Sequence, residues 1–599
     1  MPRRYFLVLA LYLITLLGWA VFTVLPASTR VHAAPQGNAG RNAYDVIVVG
    51  SEPEGVMAAV AAAQEGAATM LVTADERLGG LFVLGQLNVL DVSDPHQQGL
   101  FGNWWKRVGA GHAFDVERAE VAFAEMLSEA GVTIIRGASG ASPVLDGHQV
   151  VGVMVDNHPV AAAQVIDATA DADFAAAAGA HFSVGFESLG VAARMADTLV
   201  FRVADVNWEA LRDGVRERGP TYAQIDAHVA WGHFGRYPAA YQPREAGLRM
   251  RGLNVGRQDD GTVLINGLLV YGVDPLSPQS RREGVMRAAR EVPRLIEYLR
   301  ELPGFEQARL AGTADRLYVR ESRHLYAACQ LSVDDVLDNR VTSSAVAAGG
   351  YPLDVQTLTP EDHGFVYGVP EVYGVELCVA VPRNVGGLWV VGKAAGYDPL
   401  AASSARVVPL GMAVAEAVGV AAAMAARDGS SPESFVTSNA SIMRLRERLV
   451  ERGAYLPPVA PRAPAGPYES PHYDSYRLLL RRGLAVGGYS NDPLLNEPMV
   501  AGALVNLLSN VAERFWADHE LAARLSAIRL TNQEPLTTTR ALAIAGAAVC
   551  HATPTLAAET CQAAMSRLLT VVGDEELEPL TRGQMYDLAA ALILKKHAD

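Results

Sequence analysis

The sequence predicts an α/β fold with a helical C-terminal part, on three observations. Asp45–Val49 is a short apolar, β-branched run that breaks at Gly50 and resumes at Gly55 as Ala-rich, helix-favouring sequence. Gln164–Ala180, QVIDATADADFAAAAGA, repeats the order of apolar strand, tight turn and Ala-rich helix. From about Tyr455 the composition turns Pro-rich, and beyond it a Glu-Pro motif recurs three times, each time ahead of an apolar helix. Strand, glycine turn and helix in that order form the first half of a dinucleotide-binding βαβ unit. A helix N-terminus there offers unpaired N–H groups and a positive dipole end to a pyrophosphate.

Composition narrows the partners. Of 599 residues half are hydrophobic and 19% charged, enough for a large core in several domains. The formal net charge is −15 and no Lys/Arg cluster follows the N-terminus, which argues against nucleic acid. Cys329, Cys378, Cys550 and Cys561 form no C-x-x-C pair, against zinc ribbons and iron–sulfur clusters, so no metal is expected. Arg3 and Arg4 precede an apolar run from Phe6 to Leu25 and then PASTRVHAAP, the order of an export signal over residues 1–34. The same run is long enough to be an uncleaved membrane anchor. Either way the expected location is outside the cytoplasm, at the cell surface or wall. Export would permit a Cys550–Cys561 disulfide; two free buried thiols fit equally.

In chain order, the glycine turn reads Gly50, Ser51, Glu52, Pro53, Glu54, Gly55. The G-x-G-x-x-G spacing would put a glycine at 52 so that backbone can approach a pyrophosphate; a carboxylate there is awkward in size and charge. Thr69–Thr73 is a second strand, at whose end a dinucleotide site usually has an acid for the ribose. Here it ends in Thr73, with Asp75 two residues on. Arg77 to Leu81 holds the glycine pair Gly79–Gly80. Residues 112–135 read as an amphipathic helix, a turn at Gly131 and a strand, and Gln149–Val155 and Gln164–Ala168 as further strands.

At 164–180 the set resembles the FAD-dependent oxidoreductase family of the glutathione-reductase-like flavoproteins. The family carries an N-terminal glycine-rich βαβ, an LGG segment, and a strand ending in IDATGDGD before a helix. The likeness continues in the block from Phe305, through VRESRHLYAACQLSVDDVLDNR, in Gly350–Asp354, in LWVVG at Leu388–Gly392, in Ser404–Pro409 and in Met412–Gly419, together covering about 44 to 430. The resemblance implies FAD as cofactor, with its pyrophosphate at Gly50–Gly55, its ribose near Thr73, and close backbone at Gly79 and Gly80. It implies a second contact strand at Ala168–Thr169, and Gly392, Arg406 and Met412 beside the flavin. Glu52, Thr73 and Ala170 depart from the family pattern, all at the pyrophosphate and ribose end.

Between the halves, 200–375 reads as an inserted α+β cap, with strands at Thr198–Val203 and Val263–Gly272 and a charged helix at Arg281–Leu302. Arg320, Glu321, Arg323 and His324 follow the apolar Leu317–Val319. They are a substrate-facing cluster able to bind a carboxylate, or else an ion pair at a domain boundary. Glu321 and Arg323 are the candidates for substrate handling and Arg406 for a role near the flavin; His112 and His363 read as loop or surface residues. The domains are then 44–199 and 376–430 for the cofactor, 200–375 for the cap, and 431–472 for a helix and Pro-rich linker. Helical repeats fill 473–599. Within the repeats, Glu497-Pro498-Met499-Val500, Glu534-Pro535-Leu536-Thr537 and Glu578-Pro579-Leu580-Thr581 resemble degenerate S-layer homology units, which implies a cell-wall polymer as partner; an unrelated helical domain is the other reading. The function expected is an exported FAD-dependent oxidoreductase acting on a small organic molecule. The alternative is a surface-anchored protein keeping the scaffold without turnover.

Overall fold

A buried strand needs its neighbours' backbone as well as their side chains, and the first strand shows how this chain meets that need. The computed structural model describes residues 43–90, 97–528, 534–551 and 579–596. The expected export signal or anchor over 1–34, Cys561 and Glu578 lie outside them. Strand β1 (Ala43–Val49) pairs in parallel with β2 (Thr69–Val72) and with β6 (His158–Asp167), and β2 pairs in parallel with β3 (Thr133–Ile135). Helix α1 (Pro53–Gln64) crosses from β1 to β2, and α2 (Val116–Glu129), capped by Asp115 on the Arg118 amide, leads into β3.

The expected strand at Gln149–Val155 is present as β5, and an additional strand, β4 (Ala141–Asp146), precedes it. β4, β5 and β6 form an antiparallel meander on the first half of β6. The second half of β6 accepts a parallel strand, β7 (Leu388–Val390), from more than 200 residues away. The cofactor domain is thus discontinuous, closed by the LWVVG segment.

Behind the sheet, α1 lies on a long helix, α3 (Val408–Asp428). Their backbones nearly touch: a Cβ on Gly419 would sit 2.3 Å from the Ala58 carbonyl oxygen. Of the described helices α3 alone is long and apolar enough to cross a bilayer, but nearly all of it is buried within the fold, so it is a core helix.

The middle of the chain builds a six-stranded antiparallel sheet from segments between Asp197 and Thr313, with the helix Pro278–Leu299 against it. The sheet contains both strands expected there, as Asp197–Ala204 and Val263–Val270. Arg323–Leu325 then returns to pair with Phe182–Val184 beside the first sheet.

A disulfide joins Cys329 to Cys378, 49 residues apart. The pairing weighed from the sequence, Cys550 with Cys561, involves a residue outside those described.

Beyond the Pro-rich segment, which is irregular as expected, Arg477 reaches back to Asp334 (2.5 Å) and Asp338 (3.0 Å). The three Glu-Pro motifs meet. Met499 N–H donates to Leu580 O (2.8 Å), Leu580 N–H to Leu536 O (2.7 Å), and Leu536 N–H to Met499 O (2.8 Å). Each of these three residues gives one backbone bond and receives one, which closes a ring. Helices Ala501–Trp516, Thr538–His551 and Arg582–Lys596 follow the three corners in turn.

Candidate functional site

The turn after β1 is built by close approach. Gly50 has φ +105°, and a Cβ there would lie 2.4 Å from the Ala168 carbonyl oxygen. A Cβ on Gly55 would lie 2.4 Å from Gly50 O and 2.9 Å from the Ala168 side chain. Pro53 takes the first helical position of α1, where its missing N–H costs nothing. The N-terminus of α1 therefore points past Gly50 and Ser51 into a cavity of about 750 Å³, whose wall also includes Thr73, Ala168, Thr169 and Gly392. The Ser51 and Thr73 hydroxyls share a hydrogen bond of 3.0 Å, and Thr73 Oγ1 accepts the Asp75 amide at 3.1 Å. Asp75 itself pairs with Arg316, whose Nη1 is 3.0 Å from Oδ2.

Charges crowd the phosphate-facing end. The Glu52 carboxyl folds against Gly80, where a Cβ would sit 2.1 Å from it, and accepts the Leu81 N–H at 2.8 Å. Burial pushes its pKa up, against the pull of that amide, Lys393 and Arg316. Glu54, buried in the first turn of α1, is pushed up to about 7, by burial first and by Glu52 second. Across from them Lys393 Nζ is 2.7 Å from Asp171 Oδ1, and Arg281 Nη1 is 3.1 Å from Oδ2. Burial opposes the charge on Asp171, but Lys393 and Arg281 outweigh it and hold its carboxyl below the usual range. Asp167, at the end of β6, is raised to about 6 by burial although it accepts from the Thr169 and Ala175 amides.

Several expected residues serve as framework. Gly79 is left-handed (φ +94°), and a Cβ there would meet the Phe123 ring. Met412 is fully buried inside α3 and lines neither of the two cavities described. Arg323 is held by the Asp171 carbonyl (2.6 Å) and Asp173 (2.7 Å). Glu321 is buried, accepting the Met195 N–H at 3.2 Å and facing His324 Nε2 at 3.4 Å. These two also lie outside both cavity walls, whereas Arg320 next to them lines both.

A second cavity, about 450 Å³, lies on the cap side. It shares Tyr318, Arg320, Arg406 and Val408 with the first, so those four form the wall between them. Arg406 Nη1 donates to Tyr318 Oη at 2.8 Å, and the Arg320 guanidinium lies 4.3 Å over the same ring. Burial works to raise the Tyr318 pKa, but Arg406 and Arg320 overcome it and bring the phenol below its ordinary value of 10. Arg406, singled out in the sequence, lines both cavities. Tyr318, Arg251, Arg316 and Lys393 were not singled out: Arg316 and Tyr318 lie in the block from Phe305 and Lys393 follows LWVVG, but nothing in those patterns marks them, and Arg251 comes from a separate segment. The apolar run ending at Val319 was the available signal for Tyr318 and Arg320.

A mixed sheet whose parallel strands end at a glycine turn, a helix N-terminus and a cavity is the arrangement of a dinucleotide-binding domain. The chain belongs to the FAD dependent oxidoreductase family, whose model matches residues 45–449. Its cofactor is therefore FAD. Among solved structures it is similar to a geranylgeranyl bacteriochlorophyll reductase-like protein of Thermoplasma acidophilum (15% identity, 81% of this chain and 100% of that one, TM-score 0.32). It is also similar to an FAD dependent oxidoreductase of Pseudomonas aeruginosa (14%, 72% and 98%, TM-score 0.29) and to p-nitrophenol 4-monooxygenase of Pseudomonas putida (12%, 69% and 87%, TM-score 0.33). Among curated proteins, none matches the sequence. The family assignment stands on the family model.

The residues present fit FAD. Gly50, Ser51 and the N-terminus of α1 can take the pyrophosphate, Thr73 can hydrogen-bond a ribose hydroxyl, and Lys393 and Arg316 supply positive charge. A cavity of this size falls in the range that cofactors occupy. Glu52 is the exception within the fit, since it already uses an amide that faces the cradle.

Proposed function

We propose that the protein is an exported flavin oxidoreductase that takes a small organic substrate in the 450 Å³ cavity. One observation carries this reading: the cofactor cavity and the cap-side cavity share a wall of four residues, Arg406 among them, which supports a substrate in the second set against a flavin in the first. FAD, when bound, supplies the hydride chemistry. The chain's own part is to orient the substrate with Arg320 and Arg406 and to hold a proton at Tyr318 Oη, where two guanidinium groups ease its release. The test is the visible spectrum of the purified full-length protein. A bound flavin band, bleached by reductant and restored by air, is expected. A colourless protein that gains no band on incubation with FAD overturns the proposal.

The Cys329–Cys378 bridge supports export, since structural disulfides persist where the environment is oxidising. Fractionation of the producing cells checks it; protein confined to the cytoplasm with free thiols refutes it. For the C-terminal part we propose attachment to a cell-wall polymer. The support is that the three Glu-Pro motifs meet in a three-fold ring, as repeats sharing one core must. Co-sedimentation with purified walls is expected to fail after the wall polymers are chemically stripped. Equal sedimentation before and after, or none at all, refutes the attachment.

A further inference from the structure

Three arginines near the first cavity each have an acid. Arg281 pairs with Asp171, Arg316 with Asp75 and Arg323 with Asp173. The three arginines on the second cavity do not. Arg251, Arg320 and Arg406 all line it, and among the described residues none has a carboxylate within ion-pairing distance. Arg320, buried, donates Nη1 to the Ala196 carbonyl at 2.7 Å. Arg406 donates to Tyr318 Oη and, at 3.2 Å, to the Asp354 carbonyl. The Nε atoms of Arg251 and Arg406 are buried without a hydrogen-bond partner.

Two acids stand near. Asp354 also lines the cavity and accepts from Gln356 Nε2 at 2.9 Å. Asp197, which faces Arg320, is pushed up to about 8 by burial, so it is largely uncharged at neutral pH. Arg320 is brought down to about 10, by burial first and by its neighbours Arg251 and Arg406, and stays charged. The pocket therefore holds a surplus of buried positive charge. Gathering such charge costs several kcal/mol per ion unless an anion arrives to answer it.

We infer that the second cavity binds its substrate as an anion, a small organic acid whose carboxylate is held by Arg251, Arg320 and Arg406. The inference rests on the oxidoreductase reading for the word substrate, but not for the anion. A planar guanidinium fork matches the two oxygens of a carboxylate. The remaining wall mixes apolar and aromatic side chains, Phe82, Leu87 and Trp231, with the polar His112, Asn254 and Asn266, so it can seat a hydrocarbon body that also carries a hydrogen-bonding group.

The probes are benzoate, benzamide and phenyl phosphate, titrated into the FAD-loaded full-length protein and followed by the change in flavin absorbance. Benzoate is expected to saturate and to bind at least about ten-fold more tightly than benzamide, the scale of one charge-assisted contact. Arg251→Gln is expected to weaken benzoate about ten-fold and benzamide much less, and not to lower the melting temperature of the ligand-free protein, since one uncompensated charge is removed. Arg251→Lys, which keeps the charge and loses the fork, should fall between. Equal binding of benzoate and benzamide, or no loss in Arg251→Gln, overturns the inference. Tighter binding of phenyl phosphate overturns the carboxylate assignment. If the protein takes up no FAD, the oxidoreductase reading fails by itself. Calorimetric titration of benzoate and benzamide into the FAD-free chain then decides the anion site by the same ten-fold margin.

Discussion

Replacing Glu52 by Gln should tighten FAD binding, and more so as pH rises. The Glu52 carboxyl lies partly buried at the α1 end of the cofactor cavity, seated on the Leu81 amide at 2.8 Å. A phosphate brought to about 4 Å from that carboxylate meets a repulsion of about 4 kcal/mol at an effective dielectric constant of 20. That is a ceiling of about three powers of ten in affinity. Lys393 and Arg316 face the same carboxyl and offset part of it, while Asp75 and Glu54 add to the negative charge. A gain of at least about ten-fold at pH 8.5 is therefore expected. The sign with pH follows from the direction of the shift. Burial raises the Glu52 pKa above its usual 4.5, so its neutral form persists into milder acid. Wild-type affinity should be greatest at the acid end and fall as the carboxyl ionises, whereas Glu52→Gln should lack that contribution. Quenching of flavin fluorescence on titration, at several values from pH 5.5 to 8.5, measures both proteins. Wild-type affinity that does not change with pH, or Glu52→Gln binding no tighter than wild type at pH 8.5, refutes the reasoning.

Glu54 carries a stability prediction in the FAD-free protein. Its pKa is raised from 4.5 to about 7, so the folded state holds the proton more tightly and stability falls between those values as pH rises. Glu54→Gln should add up to about 3 kcal/mol at pH 8 and nothing at pH 4, read from urea unfolding. Loss of the Cys329–Cys378 bridge, by replacing both with Ser, removes a crosslink over 49 residues. The cost should approach about 4 kcal/mol, visible as an earlier unfolding midpoint, and an unchanged midpoint would refute it. In spectrophotometric titration, Tyr318 should ionise ahead of Tyr367, which burial pushes up to about 12. Arg406→Gln should move that early step upward and Tyr318→Phe should abolish it; survival of the step in Tyr318→Phe would reassign it.

What the sequence made legible is what a local pattern can encode. The β-branched run before Gly50 became β1, and the QVIDAT segment became the end of β6, because burial on both faces of a parallel strand demands such runs. β4 was missed: it carries Pro143 and is mostly exposed at the sheet edge, so it lacks both the apolar run and a clean alternation. The charged helix beginning near Arg281 was readable from its period, but its start was set by Ser277, whose hydroxyl caps the Ser280 amide. For the site, glycines reported where backbone comes close, as at Gly50 and Gly55. The side chains that give the cavities their charge did not, because Lys393 and Arg316 reach the first cavity, and Arg251 the second, only through tertiary folding. Arg323 and Glu321 show the complementary failure, since closeness to Arg320 in sequence does not put them on the cavity wall that Arg320 lines.

The ring at Met499, Leu536 and Leu580 closes on itself. Stacked repeat proteins can grow because each end leaves unpaired surface for another unit. Here all three backbone donors and all three acceptors at the corners are spent on one another. A fourth unit would find no free amide at these three residues, and deleting one would strand a donor in one neighbour and an acceptor in the other. The three corners described thus close on one another through backbone groups alone, whatever the drift between their side chains.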